Sequence, residues 1–94
     1  MVVRMNKARI IIAGRVQGVF FRDNTRREAM LRGLNGWVKN RQDGQVEALF
    51  EGNKEIIEDM IKWCHQGPTF SRVDNVAVVW ETGNKKYSSF SIRR

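Results

Sequence analysis

Arg22 and Asn40, together with the stretch Gly14-Arg15-Val16-Gln17-Gly18-Val19-Phe20-Phe21-Arg22, are the residues whose types and spacing could do chemistry. The stretch follows Ile10-Ile11-Ile12-Ala13 and precedes a helical pattern, so it forms a strand-to-helix turn. Backbone N–H groups in such a turn lack strand or helix partners and can converge on an oxyanion, where the helix dipole adds partial positive charge. Arg22 brings a permanent charge and a planar fork of donors that suits phosphate oxygens. Asn40 is an amide, which cannot act as a general base but can orient a water through its carbonyl and NH2 groups. A site of this kind works by positioning and electrostatic stabilisation, which suits a substrate with a good leaving group. Acyl phosphates, the mixed anhydrides of a carboxylic and a phosphoric acid, fit that description, and the substrate's own phosphate can accept the proton of the attacking water.

The fold has to bring these residues together. Residues 1 to 6 show no periodicity and are expected to fray. Lys7 to Gly14 reads as a buried central strand. A helix is expected from near Arg22 to about Arg32, with Asp23 in its first turn, Thr25 and Glu28 at capping-box spacing, and Gly33 as its stop. Gly36 to Arg41 alternates as a strand, Gln42-Asp43-Gly44 is a hairpin turn, and Gln45 to Glu51 returns with Val46, Ala48 and Phe50 facing inward. Asn53 can cap a second helix whose apolar stripe is Ile56, Ile57, Met60, Ile61 and Cys64, and Gly67-Pro68 ends it. A strand from Val73 to Glu81, a polar turn from Thr82 to Lys86 and a short closing segment from Ser89 to Ile92 complete the chain.

The order β-α-β-β-α-β predicts an α+β fold of the ferredoxin-like, split β-α-β type. Two helices pack on one face of an antiparallel sheet of four strands plus a short C-terminal strand. In that topology the first strand ends at the turn, the helix runs back, and the second strand runs up again to Asn40 on the same edge. Period-two counting turns Asn40 the same way as Val38, toward the side where the first helix begins.

The 94 residues fit one domain over 1–94. With 41% hydrophobic residues and one proline the composition is that of a globular protein. Cys64 is the single cysteine, which excludes an intrachain disulfide and points to a reducing compartment. The apolar run after Lys7 and Arg9 is too short for a signal peptide, and no segment is long enough to span a membrane, so a cytoplasmic protein is expected. Seventeen basic residues against ten acidic ones give a net charge of +7, which favours anionic partners.

Gly14 to Arg22, Gly36-Trp37-Val38-Lys39-Asn40 and Asp43-Gly44-Gln45-Val46-Glu47 closely resemble the acylphosphatases, and Gly67-Pro68 and Phe90-Ser91-Ile92 fall where that family has them. The resemblance runs from about Ala8 over nearly the whole chain. It implies hydrolysis of acyl phosphates to a carboxylate and inorganic phosphate by a metal-free, cofactor-free enzyme with a ferredoxin-like fold. It implies that the backbone N–H groups of Gln17, Gly18, Val19, Phe20, Phe21 and Arg22 bind the phosphate with the Arg22 side chain, and that Asn40 holds the nucleophilic water. The expected partner is a small anionic acyl phosphate, with inorganic phosphate as product and competitor, and the expected state is a monomer. One departure is Arg32, where members carry an apolar residue before the glycine that ends the first helix; Met30 or Leu31 is expected to compensate.

Other readings are weaker. Asp43 and Glu47 could form an acid/base pair, but Asp43-Gly44 is the strongest hairpin signal in the chain, so turn and strand surface are favoured. Cys64-His65 could be a nucleophile or metal ligand, yet Cys64 lies on the apolar stripe and His65 at a helix C-terminus. One sheet face is left uncovered, and RRM-type ferredoxin-like domains bind single-stranded RNA there. Trp37, with Lys39 and Arg41 on the same parity, supplies the aromatic and basic elements, but the alternating aromatics of RNP1 are missing, which ranks nucleic acid behind hydrolysis. A regulatory or carbamoyl-transfer module within a larger protein is the third class, and the length of this chain is expected to leave it out.

Overall fold

In the first strand apolar residues alternate with charged ones, and this parity assigns each residue to a face of the sheet. Ala8, Ile10 and Ile12 are fully buried, whereas Arg9 between them is exposed on the other face. The computed structural model describes residues 4–94. They form β1 (Arg4–Arg15), α1 (Phe21–Leu31), β2 (Asn35–Asn40), β3 (Val46–Gly52), α2 (Lys54–Gln66), β4 (Arg72–Asn84) and β5 (Phe90–Arg93). The strands lie in the order β4-β1-β3-β2-β5. All neighbours are antiparallel except β2 and β5, which run parallel. This is the ferredoxin-like α+β fold expected from the element order, with the short C-terminal strand added at one edge.

The helices cover one face, α1 against β2 and β5, and α2 against β4, β1 and β3. Their buried residues Phe21, Ala29, Ile57, Met60 and Cys64 meet Ile10, Ile12, Val38, Val46, Ala48 and Phe50 from the sheet. Each large apolar side chain so buried stabilises the fold by roughly 1.5–3 kcal/mol. Asn53 caps α2 as expected, its side chain accepting from the N–H groups of Glu55 (2.9 Å) and Ile56 (3.4 Å). No helix among the described residues is long and apolar enough to cross a membrane.

Several boundaries differ from the sequence expectations, each for a physical reason. Arg4, Met5 and Asn6, expected to fray, pair with Asn84, Gly83 and Thr82; Met1–Val3 lie outside the described residues. The same pairing draws Thr82–Asn84 into β4 rather than into a turn. Thr25 caps nothing: it is buried inside α1, where its hydroxyl donates to the Phe21 carbonyl at 2.7 Å. The C-terminus of α1 is a Schellman motif, with Gly33 N–H donating to Met30 O (3.1 Å) and Leu34 N–H to Ala29 O (2.9 Å). Leu34, 2% exposed, supplies the apolar contact of that motif, while Met30 and Leu31 stay exposed and compensate nothing. Arg32 turns outward to Glu28 (2.9 Å) and to Asp59 on α2 (2.8 Å).

Glu51 on β3 is fully buried on the face away from the helices. Its carboxylate accepts from the N–H groups of Lys86 (2.8 Å) and Tyr87 (3.2 Å) and pairs with Lys7 at 3.4 Å. It thereby fixes the connection that delivers β5 to the sheet. Removing one partner of a buried ion pair strands the other, at a cost of about 3–5 kcal/mol. Glu51→Ala is therefore expected to lower the unfolding free energy by about that amount in urea denaturation, and a loss under about 1 kcal/mol would show that Lys7 is already solvated.

Candidate active site

The strand-to-helix loop begins where β1 loses its register with β4, between Ala13 and Gly14. Gly14 has φ 132°, and a Cβ there would run into the Arg72 carbonyl, so the strand turns at a point that only glycine allows. Val16 is buried and anchors the loop in the core. Further along, Phe20 sits in the left-handed region at φ 60°, ψ 26°. That conformation costs a bulky residue on the order of 1–3 kcal/mol and is characteristic of ligand clamps.

Phe20 is also the residue before α1, and no side chain caps the helix from that position. The Phe20 carbonyl instead accepts from Asn24 twice, from the backbone N–H at 3.1 Å and from Nδ2 at 2.8 Å. Among the described residues no backbone N–H from Gln17 to Asp23 donates to a backbone carbonyl outside the regular elements. The loop is thus short of acceptors at the positive end of a helix dipole.

Asn40 ends β2, opposite Val46 and on the face of fully buried Val38. Its Oδ1 is buried and, among the described residues, has no hydrogen-bond partner. Buried polar atoms are nearly always paired, so an orphaned acceptor marks a place where something else belongs. Asn40 and Arg22 line one pocket of about 250 Å³, together with Val16, Gly18, Phe20, Phe21 and Asp23. Two residues eighteen positions apart are thereby brought to one cavity. A larger hollow of about 660 Å³, between Arg26 and Met30 on α1 and the β5 strand, contains neither of them.

Of the remaining loop residues, Val19 lines a separate groove beyond Phe20, and the Gln17 side chain faces away from the pocket toward the hairpin. Gln17 Nε2 donates to Arg41 O at 2.8 Å and to Gln45 O at 2.9 Å, which ties the loop to the turn that follows Asn40. Sequence reasoning missed this role, and no local signal could have shown it, because the acceptors are backbone carbonyls 24 and 28 residues away.

The weaker candidates resolve structurally. Asp43 belongs to the turn, where the Arg41 guanidinium and then the Gln45 N–H hold its carboxyl below the usual carboxylate range. Glu47, expected on the strand surface, is instead nearly buried under Arg9 (3.0 Å), Arg41 (3.6 Å) and Lys39 (3.8 Å). Burial pushes the Cys64 thiol far up, which keeps it from forming the nucleophilic thiolate. Trp37 is only 4% exposed, lies under the Arg93 guanidinium at 4.7 Å and donates from Nε1 to the Tyr87 hydroxyl, so it offers no platform to a base. Among the described residues no three His, Cys, Asp or Glu side chains are grouped to hold a metal ion.

Fold and site together define a ferredoxin-like α+β protein in which a strand-to-helix loop and a strand-end amide line one pocket. A model of the acylphosphatase family matches residues 8–92. An acylphosphatase of Pelotomaculum thermopropionicum is 44% identical over 86 residues, covering 92% of this chain and 94% of its own. One from Nostoc sp. is 52% identical over 75 residues, covering 80% and 74%. The crystal structure of acylphosphatase from Bacillus subtilis superimposes with a TM-score of 0.92 at 40% identity, covering 95% of this chain and 99% of that one. The chain belongs to the acylphosphatase family and is a hydrolase of that family.

The Gln17 tether leads to a measurable expectation. Gln17→Ala removes both hydrogen bonds, but the Arg41 carbonyl keeps the Gly44 N–H (3.3 Å) and the Gln45 carbonyl keeps the Arg41 N–H (2.8 Å), so the loss is about 0.5–1.5 kcal/mol for each bond removed. Chemical denaturation is expected to show that decrease; an unchanged midpoint would mean that water replaces the amide.

Proposed function

We propose that the protein hydrolyses acyl phosphates to a carboxylate and inorganic phosphate at the pocket between the cradle and Asn40. The observation that carries this reading is the buried, partnerless Oδ1 of Asn40 in the same cavity as Arg22. In this reading the N–H groups from Gln17 to Arg22 and the Arg22 guanidinium bind the phosphate oxygens. The donors are fixed before substrate arrives, so charge developing on the phosphoryl group meets dipoles that need no reorganisation.

A water that donates a hydrogen bond to Asn40 Oδ1 attacks phosphorus. The bond from phosphorus to the acyl oxygen breaks, the carboxylate leaves, and the proton of the water passes to a phosphate oxygen. No side chain has to act as a base, because a carboxylate is a good leaving group. The chemistry needs no metal or organic cofactor, since Arg22 and the loop supply the positive charge.

Benzoate release from benzoyl phosphate in the presence of a chelator tests the reading, and turnover no faster than the uncatalysed background would overturn it. Arg22→Ala is expected to cost about 10²–10³ in kcat, by analogy with the loss of an oxyanion donor. Asn40→Ala is expected to lose turnover while keeping its unfolding free energy within about 1 kcal/mol of wild type, because the orphaned oxygen makes no hydrogen bond that the fold would miss. Wild-type rates in both variants would remove these residues from their roles.

A further inference from the structure

We infer that the acyl group of the substrate lies in the groove beyond Phe20, where Phe20, Phe70 and Trp63 select neutral aromatic acyl phosphates over acetyl phosphate. The inference rests on the proposed hydrolysis and adds to it the part of the substrate that the cradle does not touch. The groove, about 400 Å³, shares Phe20 with the pocket that contains Arg22 and Asn40, so Phe20 forms the ridge between them.

In-line displacement fixes the direction in which the acyl group leaves. Water held by Asn40 approaches phosphorus from one side, and the leaving oxygen must depart on the opposite side. Asn40 lines the first cavity and a hollow on its hairpin side but not the groove, which lies beyond Phe20, so the departing carboxylate crosses Phe20 into the groove.

The rings there are exposed although nothing in the fold requires it. Phe20 is 74% exposed and Phe70 78%, and covering either would remove a large apolar area from water. Neither is loosely held. The left-handed backbone of Phe20 directs its ring outward, and the loop before Phe70 is closed by Ser71, which donates to Pro68 O from its N–H (3.0 Å) and its Oγ (2.7 Å). Trp63 is fixed by a tilted contact with Phe21, ring centres 5.8 Å apart. Of the polar side chains of the groove, Asn24 is engaged with the Phe20 carbonyl and Glu28 with Arg32. What remains for a ligand is aromatic surface beside the Gln66 amide and the Thr69 hydroxyl, and among the described residues no cation lines the groove to hold a second carboxylate.

The test is the ratio of kcat/KM for benzoyl phosphate to that for acetyl phosphate, measured for wild type, Phe70→Ser and Phe20→Gly. Glycine accepts the left-handed backbone of position 20, so that variant removes the ring without new strain. Inhibition by inorganic phosphate is followed in parallel as a readout of the cradle itself. The ratio is expected to fall about tenfold in each variant, as for a lost apolar contact in a specificity pocket, with inhibition by phosphate retained in Phe70→Ser. A ratio within about twofold of wild type in both variants overturns the groove assignment and leaves acyl phosphate hydrolysis standing. Wild-type protein that turns over neither compound overturns the hydrolysis reading and this inference with it.

Discussion

The Gln17 amide, donating to two carbonyls of the β2–β3 hairpin, is the constraint on which the rest of the site depends. A loop with unused N–H groups and a phenylalanine in the left-handed region would relax if left to itself, and such strain persists only where surrounding contacts overdetermine it. Buried Val16 fixes one end of the loop, Asn24 grips the Phe20 carbonyl at the other, and Gln17 pins the middle to a different part of the chain. That third attachment also sets the spacing between the cradle and Asn40, because the hairpin it grips begins one residue after Asn40. Catalysis by positioning is intolerant of slack, a misplacement of about 1 Å costing on the order of 10²-fold.

Electrostatics on the uncovered face of the sheet follow a separate plan. Two acidic residues of β3, Glu47 and Glu51, are buried there and draw in Arg9, Lys39, Arg41 and Lys7. Arg93, Lys39 and Arg9 also stack over Trp37. Four of the seventeen basic residues are therefore committed to carboxylates of the protein itself, and the number of basic residues alone is a poor guide to what the surface attracts.

The parts of the fold that were legible in the sequence are those set by local chemistry. The Asn53 cap, the Asp43-Gly44 turn and the apolar stripe of α2 involve residues within a turn or two of one another. Asn40 beside Arg22 was legible too, since it needs only the element order and a period of two. What could not be read came from partners far along the chain. Pairing with β4 recruited Arg4 to Asn6 into β1, and burial under three cations took Glu47 off the surface. Thr25 shows the limit of motif spacing: a capping-box pattern is silent once the helix starts earlier by a different device. At Arg32 the apolar contact moved two residues on, to Leu34, because the Schellman geometry brings that residue back over the helix.

The sheet order carries a consequence for how the chain reaches its native state. β1, the first strand to be synthesised, sits between β3 and β4, and its pairing with β4 runs from Arg4 opposite Asn84 to Arg15 opposite Arg72. β2 acquires its outer neighbour from β5, at the other end of the sequence. Nearly every strand pairing that completes the core therefore closes a long loop, whose entropy must be lost before the contacts repay it, and folding of such topologies is slow compared with helical bundles of similar length. A nascent chain still lacking residues 72–93 has only one edge of β1 paired, so the sheet beneath the pocket shared by Arg22 and Asn40 is completed well after both residues have been made.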